Sequence, residues 1–320
     1  MSKEHPDVSV VIPTYNRLRF LRRSIQSCFS GNEGTEVEVI VVDDGSSDGT
    51  REYLMEVEDD RVRPFFQENH GAPVARNRGL EEAQGRFVKF LDDDDWLAEG
   101  GLHHECEVLD ASGAEMSFGA YERIDDDGTV VRRIGAPEVE DVVSAFLRGT
   151  LLTHPHRFTY RRGLVRELRW DPDLPCRQDV DFALTVAARE PSPVRVDRVV
   201  SYLCQHEGER ISTGTASSRG GRVHAEVLLA AVQKMKKKGI FTERRRRAAA
   251  EGLWQWAHLV AGQDLKFFDR LFREIDRLAP DFRPDRGTQV LSYLDAIVGP
   301  RATEHLTYPV RRMKYELSDT

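Results

Sequence analysis

Four consecutive carboxylates, Asp92-Asp93-Asp94-Asp95, follow the short apolar run Phe87-Val88-Lys89-Phe90-Leu91. The run has the length and composition of a buried strand. Four adjacent negative charges repel one another. A hard divalent cation, which takes oxygen ligands, would offset that repulsion. The plain alternative is a solvated turn, since acidic runs are usually exposed. A second acidic loop, Asp43-Asp44-Gly45-Ser46-Ser47-Asp48-Gly49-Thr50, follows another β-branched run, Val37-Glu38-Val39-Ile40-Val41-Val42.

The elements that must carry these loops can be read from periodicity. Val8-Ser9-Val10-Val11-Ile12, closed by Pro13, reads as a buried strand, with Thr14-Tyr15-Asn16 as loop. Leu18, Leu21, Ile25 and Cys28 share a helix face at steps of three and four. Ser47 or Asp48 is placed to cap the helix holding Tyr53, Leu54 and Val57, residues 62–66 read as a strand, and residues 73–83 read as a helix with Pro73 near its first turn. Strands alternating with helices predict an α/β fold with a mostly parallel central sheet. In open sheets of that kind ligands bind beyond the carboxyl ends of the strands, so both acidic loops are expected on one rim.

Further on, residues 101–109, 139–147 and 178–188 read as helices. Residues 157–161 and 194–203 read as strands, and Asp126-Asp127-Gly128 as a hairpin turn. From Arg222 helical patterns dominate, with Phe268, Leu271, Phe272, Ile275 and Leu278 on one face. The division expected is one α/β domain over 1–215, its halves meeting near 120–121, and a helical region over 222–320. Two basic runs, Lys236-Lys237-Lys238 and Arg244-Arg245-Arg246-Arg247, read as solvated helix ends, or else as contacts for an anionic acceptor or a membrane surface.

Composition narrows the function classes. The 320 residues are 40% hydrophobic and 31% charged, enough for a sizeable core. Net charge is 46 − 54 = −8, which disfavours nucleic acid as a partner. Cys28, Cys106, Cys176 and Cys204 show no metal-type spacing. No leader-like apolar region opens the chain, and no run approaches the roughly 18 apolar residues of a membrane span. A cytoplasmic protein with reduced thiols is expected, with peripheral membrane attachment left open.

Four motifs in order, Val8–Asn16, Val41–Thr50, Ala75-Arg76-Asn77 with Gly85, and Phe90–Asp95, resemble the family 2 glycosyltransferases. The resemblance covers about residues 7 to 215. It implies a GT-A fold and an inverting, metal-dependent transferase of hexosyltransferase type, moving a sugar from a nucleoside diphosphate donor to a hydroxyl acceptor. By that resemblance Asp44, with Asp43 beside it, holds the base and ribose, and Pro13, Thr14 and Tyr15 line the same end. The family's Asp-x-Asp motif falls on Asp92-Asp93-Asp94. Asp94 is then the ligand of Mn2+ or Mg2+, and Asp92 and Asp93 lie toward the ribose and diphosphate. A cation bound through one or two carboxylates plus substrate phosphates is a sparse site by nature.

The resemblance also places a catalytic base at the start of a helix, where the family carries Glu-Asp and this chain carries Gln178-Asp179. An ordinary Asp titrates near ~3.9, so Asp179 would act in its ionised form. Asp181 is the competitor, and a role in the helix's first turn is the plain alternative. His206 is a second candidate metal ligand, and Arg76 and Arg177 are candidate phosphate contacts. The donor expected is a UDP-sugar. The acceptor is a glycan, a lipid-linked sugar or a small molecule, and self-association through the helical tail is left open. The rival readings are a nucleotide-sugar-binding module without turnover, suggested by Gln178, and a sugar nucleotidyltransferase. The latter would want a glycine-rich loop where this chain has Pro13-Thr14-Tyr15-Asn16-Arg17.

Overall fold

The computed structural model describes residues 5–125, 127–205, 218–284 and 289–318. In chain order the first elements are β1 (Val8–Thr14), α1 (Leu18–Ser27), β2 (Val37–Asp43), α2 (Thr50–Glu56), β3 (Val62–Phe66), α3 (Ala72–Glu82) and β4 (Phe87–Phe90). Next come β5 (Trp96–Leu97), α4 (Gly101–Ser112), β6 (Met116–Ile124), β7 (Val130–Ile134), α5 (Val142–Arg148), a 3-10 turn Pro155–Arg157, β8 (Phe158–Arg161), α6 (Arg162–Val165), α7 (Gln178–Ala187) and β9 (Pro193–Cys204). Helices α8 (Ser218–Lys237), α9 (Glu243–Ala261), α10 (Leu265–Leu278), α11 (Gln289–Val298) and α12 (Pro300–Ser318) follow.

The chain forms two compact units. The first comprises Met1–Glu140, Thr153–Asp173 and Thr185–Gly208; the second comprises Asp141–Leu152, Leu174–Leu184 and Glu209–Thr320. The first unit holds a sheet in the order β3-β2-β1-β4-β8-β6-β9-β5, with β7 paired to β6. Every residue of β1 and β2 is buried, as expected of central strands in a parallel sheet, and the polar side chains within the two apolar runs, Ser9 and Glu38, are hydrogen-bonded to each other. The register pairs Val8 with Val37 and Thr14 with Asp43, so the end of β1 sits beside the first acidic pair.

The sheet is parallel through β3-β2-β1-β4 but mixed beyond it. Strand β8 runs antiparallel to both β4 and β6, while β6 and β9 are parallel. Two reversals leave β6 and β9 pointing the same way as β4. Thr14, Asp43, Asp92, Ile124 and Cys204 therefore gather on one rim. Helix α3 packs close to β1, since a Cβ at Gly79 would lie 2.3 Å from Val11 Cγ1. Under the rim, Lys89 Nζ on β4 donates to both oxygens of Glu105 on α4, at 3.0 and 2.8 Å, and to Thr159 Oγ1 at 3.2 Å. Both charged side chains are fully buried.

In the second unit α9 packs against α5. Gly252 permits the approach, since a Cβ there would meet the Leu147 carbonyl. The arginine run turns inward and along the helix: Arg245 pairs with Asp141 at 3.0 Å, Arg246 with Glu243, and Arg247 with Glu251 at 3.8 Å. Arg245 therefore ties α9 to the start of α5, while Arg246 and Arg247 pair within α9. Phe268, Leu271, Ile275 and Leu278 are buried, so the apolar stripe of α10 is core. No helix among the described residues is long and apolar enough to cross a membrane.

Candidate active site

The acidic run leaves β4 at the rim, and its four carboxylates meet four different environments. Asp92 Oδ1 accepts from Arg76 Nη2 at 2.5 Å. Arg76, on α3, is 8% exposed and lies 4.5 Å from the centre of the Trp170 ring. Asn77, next to Arg76, exchanges hydrogen bonds with the Trp170 backbone at 2.9 and 2.8 Å. Asp93 Oδ2 accepts from Thr14 Oγ1 at 2.8 Å. Asp94 Oδ2 faces Arg17 Nη1 at 2.5 Å, and the same nitrogen is 3.9 Å from Asp93 Oδ1. Asp95 turns inward and is 1% exposed, with Oδ1 accepting the Cys204 amide at 3.0 Å. Arg23 on α1 lies 3.4 Å from the centre of the Trp96 ring, so α1 floors the run.

Burial, and then repulsion from Asp94, push the Asp93 carboxyl up to about 7. These donors fit a hard divalent cation. They are all oxygens, they repel one another, and a cationic group, Arg17, is already drawn to Asp94. Among the described residues no three His, Cys, Asp or Glu side chains converge on one point. A cation would thus be held by one or two carboxylates together with substrate oxygens. His206, the other expected ligand, lies outside the described residues.

The first acidic pair divides its work. Both oxygens of Asp44 are engaged: Gln67 Nε2 at 2.7 Å and the His70 amide at 2.9 Å on one, the Gly71 amide at 2.8 Å on the other. Asp44 thereby folds residues 67–71 against the start of α3. Asp43 Oδ1 accepts the Ser46 amide at 3.0 Å, while its buried Oδ2 has no hydrogen-bond partner among the described residues. Asn16, at φ +53°, ties the two loops together, donating its amide to Ser46 Oγ and accepting the Ser47 amide. Asp48 serves two helix starts, accepting from the Leu18 and Thr50 amides at 3.1 Å each. Gly49, at φ +93°, occupies the cap position of α2 itself. Pro13 and Thr14 are buried at the end of β1, and Tyr15 is 46% exposed beside them.

Asp179 stands half-buried in the first turn of α7, in the second unit. Gln178 Nε2 donates to the Leu174 carbonyl at 2.9 Å and so closes the preceding loop. Arg177, at φ +66°, lays its guanidinium 4.6 Å from the Trp256 ring centre, and His224 stacks on the same indole at 4.2 Å. The structure thus brings Pro13, Thr14, Tyr15, Asp43, Asp44, Arg76, Asp92, Asp93 and Asp94 to one rim. It adds Arg17, which the sequence reading did not single out. The signal available was a cationic residue three positions past the first strand.

A mixed sheet with two acidic loops on one rim is an α/β architecture with its candidate site where ligands bind in open sheets of this kind. The profile of glycosyl transferase family 2 matches residues 9–169, half the chain. The chain belongs to glycosyl transferase family 2. It is 39% identical over 142 residues to the putative teichuronic acid biosynthesis glycosyltransferase TuaG of Bacillus subtilis, covering 43% of this chain and 56% of that protein. The match thus spans little more than half the length of that relative. The fold is that of S. aureus TarS 1–349, a GT-A fold, at a TM-score of 0.64 and 19% identity over 98% of this chain and 92% of that one. TarS 1–349 is also known in complex with UDP-GlcNAc. The mannosyltransferase PcManGT of Pyrobaculum calidifontis, in complex with GDP-Man and Mn2+, matches at a TM-score of 0.52 and 15% identity, over 96% of this chain and 88% of that one.

Proposed function

We propose that this chain is an inverting glycosyltransferase that moves a sugar from a UDP-sugar to a hydroxyl acceptor. The domain over 1–215 performs the transfer, and the helical region over 222–320 follows it. The observation that carries the reading is the convergence of Thr14, Asp93, Asp94 and Arg17 within hydrogen-bond or ion-pair distance at the rim that also holds Asp43. Asp44, with Asp43 beside it, holds the base and ribose at this end of the rim. Asp44 also orders the 67–71 loop. Pro13, Thr14 and Tyr15 form the wall beside the base, and Arg76 keeps Asp92 turned toward the ribose and diphosphate.

Asp94, with His206, would hold a divalent cation, Mn2+ or Mg2+, which neutralises charge developing on the leaving diphosphate. The Asp179 carboxylate takes the proton of the acceptor hydroxyl as its oxygen attacks the anomeric carbon. The bond from that carbon to the diphosphate oxygen breaks, and the nucleoside diphosphate leaves. Attack from the opposite face inverts the anomeric centre. Gln178, in place of the family's Glu, closes the loop before α7 through the Leu174 carbonyl.

The test is Asp179→Asn, followed by UDP binding with Mn2+ and by UDP release in an acceptor screen. Binding should be retained, and release should fall by about a hundredfold or more, the usual contribution of a general base. Unchanged release would overturn the assignment of Asp179.

A further inference from the structure

Ser201, His156 and Asp95 form a buried row in the first unit. Ser201 lies on β9, His156 in the turn Pro155–Arg157, and Asp95 ends the acidic run. They are 0%, 1% and 1% exposed. His156 Nδ1 lies 2.7 Å from Ser201 Oγ, and Nε2 lies 3.8 Å from Asp95 Oδ2. The other Asp95 oxygen takes the Cys204 amide at 3.0 Å. His154 stacks on His156 at 5.6 Å, and Tyr121 meets both rings edge-on at 5.4 and 5.1 Å, which fixes the imidazole plane.

Burial, and after it the nearby His154, Lys89 and Arg157, hold the His156 imidazole well below its usual range, so it is neutral. A neutral imidazole carries one N–H. A bare nitrogen lone pair facing the buried Asp95 carboxylate would be repelled. The favourable arrangement has the Ser201 hydroxyl donating to Nδ1, with the proton on Nε2 facing Asp95.

We infer that His156 is a positioning residue for the acidic run: the Cys204 amide holds one oxygen of Asp95 and the His156 Nε2 edge faces the other, so that the adjoining Asp94 is presented to the donor's cation and diphosphate. The inference rests on the function proposed above. The Nε2–Oδ2 separation exceeds an N–H···O hydrogen bond by about 0.8 Å. At that range the contact is electrostatic, and the buried His156 Nε2 has no hydrogen-bond partner among the described residues. Outer residues of this kind typically change metal affinity by about 10- to 100-fold when altered.

The experiment compares His156→Asn and His156→Gln. Gln places an amide near the Nε2 position, whereas Asn reaches only the Nδ1 position and Ser201. Mn2+ is titrated calorimetrically into each protein with UDP present, beside thermal midpoints. The Mn2+ needed for half-saturation should rise about tenfold in His156→Asn and stay within about threefold of wild type in His156→Gln, at similar midpoints. Asp95→Asn, which leaves the His156 packing intact, should show the same loss, and combining it with His156→Asn should add little. If His156→Asn does not fold, Asp95→Asn carries the test. Equal behaviour of Asn and Gln, a shift that merely tracks the midpoint, or an unchanged Asp95→Asn overturns the positioning role while leaving the functional reading standing. Absence of Mn2+-dependent UDP binding in the wild type overturns both.

Discussion

Arg17 reaches from the start of α1 to within 2.5 Å of Asp94, the carboxylate proposed to bind the cation. Between unit charges at this range the attraction is on the order of 1 kcal/mol in water and several at a half-buried site. An incoming cation must displace or share that contact. Arg17→Gln is therefore expected to tighten Mn2+ binding without nucleotide by about three- to tenfold. It should weaken binding of UDP, whose diphosphate the guanidinium attracts. Isothermal titration of each ligand separately checks both signs.

Asp44 and Asp43 should separate on mutation. Asp44→Ala strips three hydrogen bonds from residues 67–71 and is expected to cost about 2–4 kcal/mol in denaturant unfolding. Asp43→Asn keeps most of the shape and should leave stability within about 1 kcal/mol, while weakening UDP binding by about tenfold. Equal effects on stability would contradict this division.

The buried Lys89–Glu105 pair should be costly to break from one side. Lys89→Met strands a buried carboxylate and should destabilise by about 3–5 kcal/mol. Lys89→Met with Glu105→Leu should recover most of that loss, because the uncompensated charge is gone. Urea midpoints of the single and double variants measure the difference.

How far the site could be foreseen follows from how local each signal is. The β-branched runs at 8–12 and 37–42, each interrupted by a single polar residue, identify central strands without reference to anything else, and the two acidic loops follow from their ends. The antiparallel insertion of β8 could not be read, because Phe158-Thr159-Tyr160-Arg161 carries no mark of its neighbours or direction. Strand β5 is two residues long and exists only through its pairing with β9. Helix α12 lies within the expected helical region, although Pro309 interrupts its pattern. The contacts of Asp44 could not be read either, because they are made with residues more than 20 positions away. The Arg17–Asp94 contact spans 77 positions and belongs to the tertiary fold.

Asp93 should make metal-free stability fall with pH. Its carboxyl is held up to about 7 in the folded chain, against about 3.9 when unfolded. The folded state then binds the extra proton, so the favourable contribution is complete below about pH 4 and is lost as pH rises to about 7. Asp93→Asn, neutral throughout, should raise the thermal midpoint most above about pH 7, and the gain should shrink toward about pH 4. A gain that is constant across pH would contradict the burial of this charge.

The most direct measurement is UDP binding by isothermal titration, with and without Mn2+, to wild type and to Asp94→Ala. The expected result is binding by the wild type that strengthens at least about tenfold with Mn2+, and an Asp94→Ala protein that loses this dependence at an unchanged thermal midpoint. UDP binding that is indifferent to both Mn2+ and Asp94, or no binding by the wild type, would contradict the assignment of the acidic run to donor and cation.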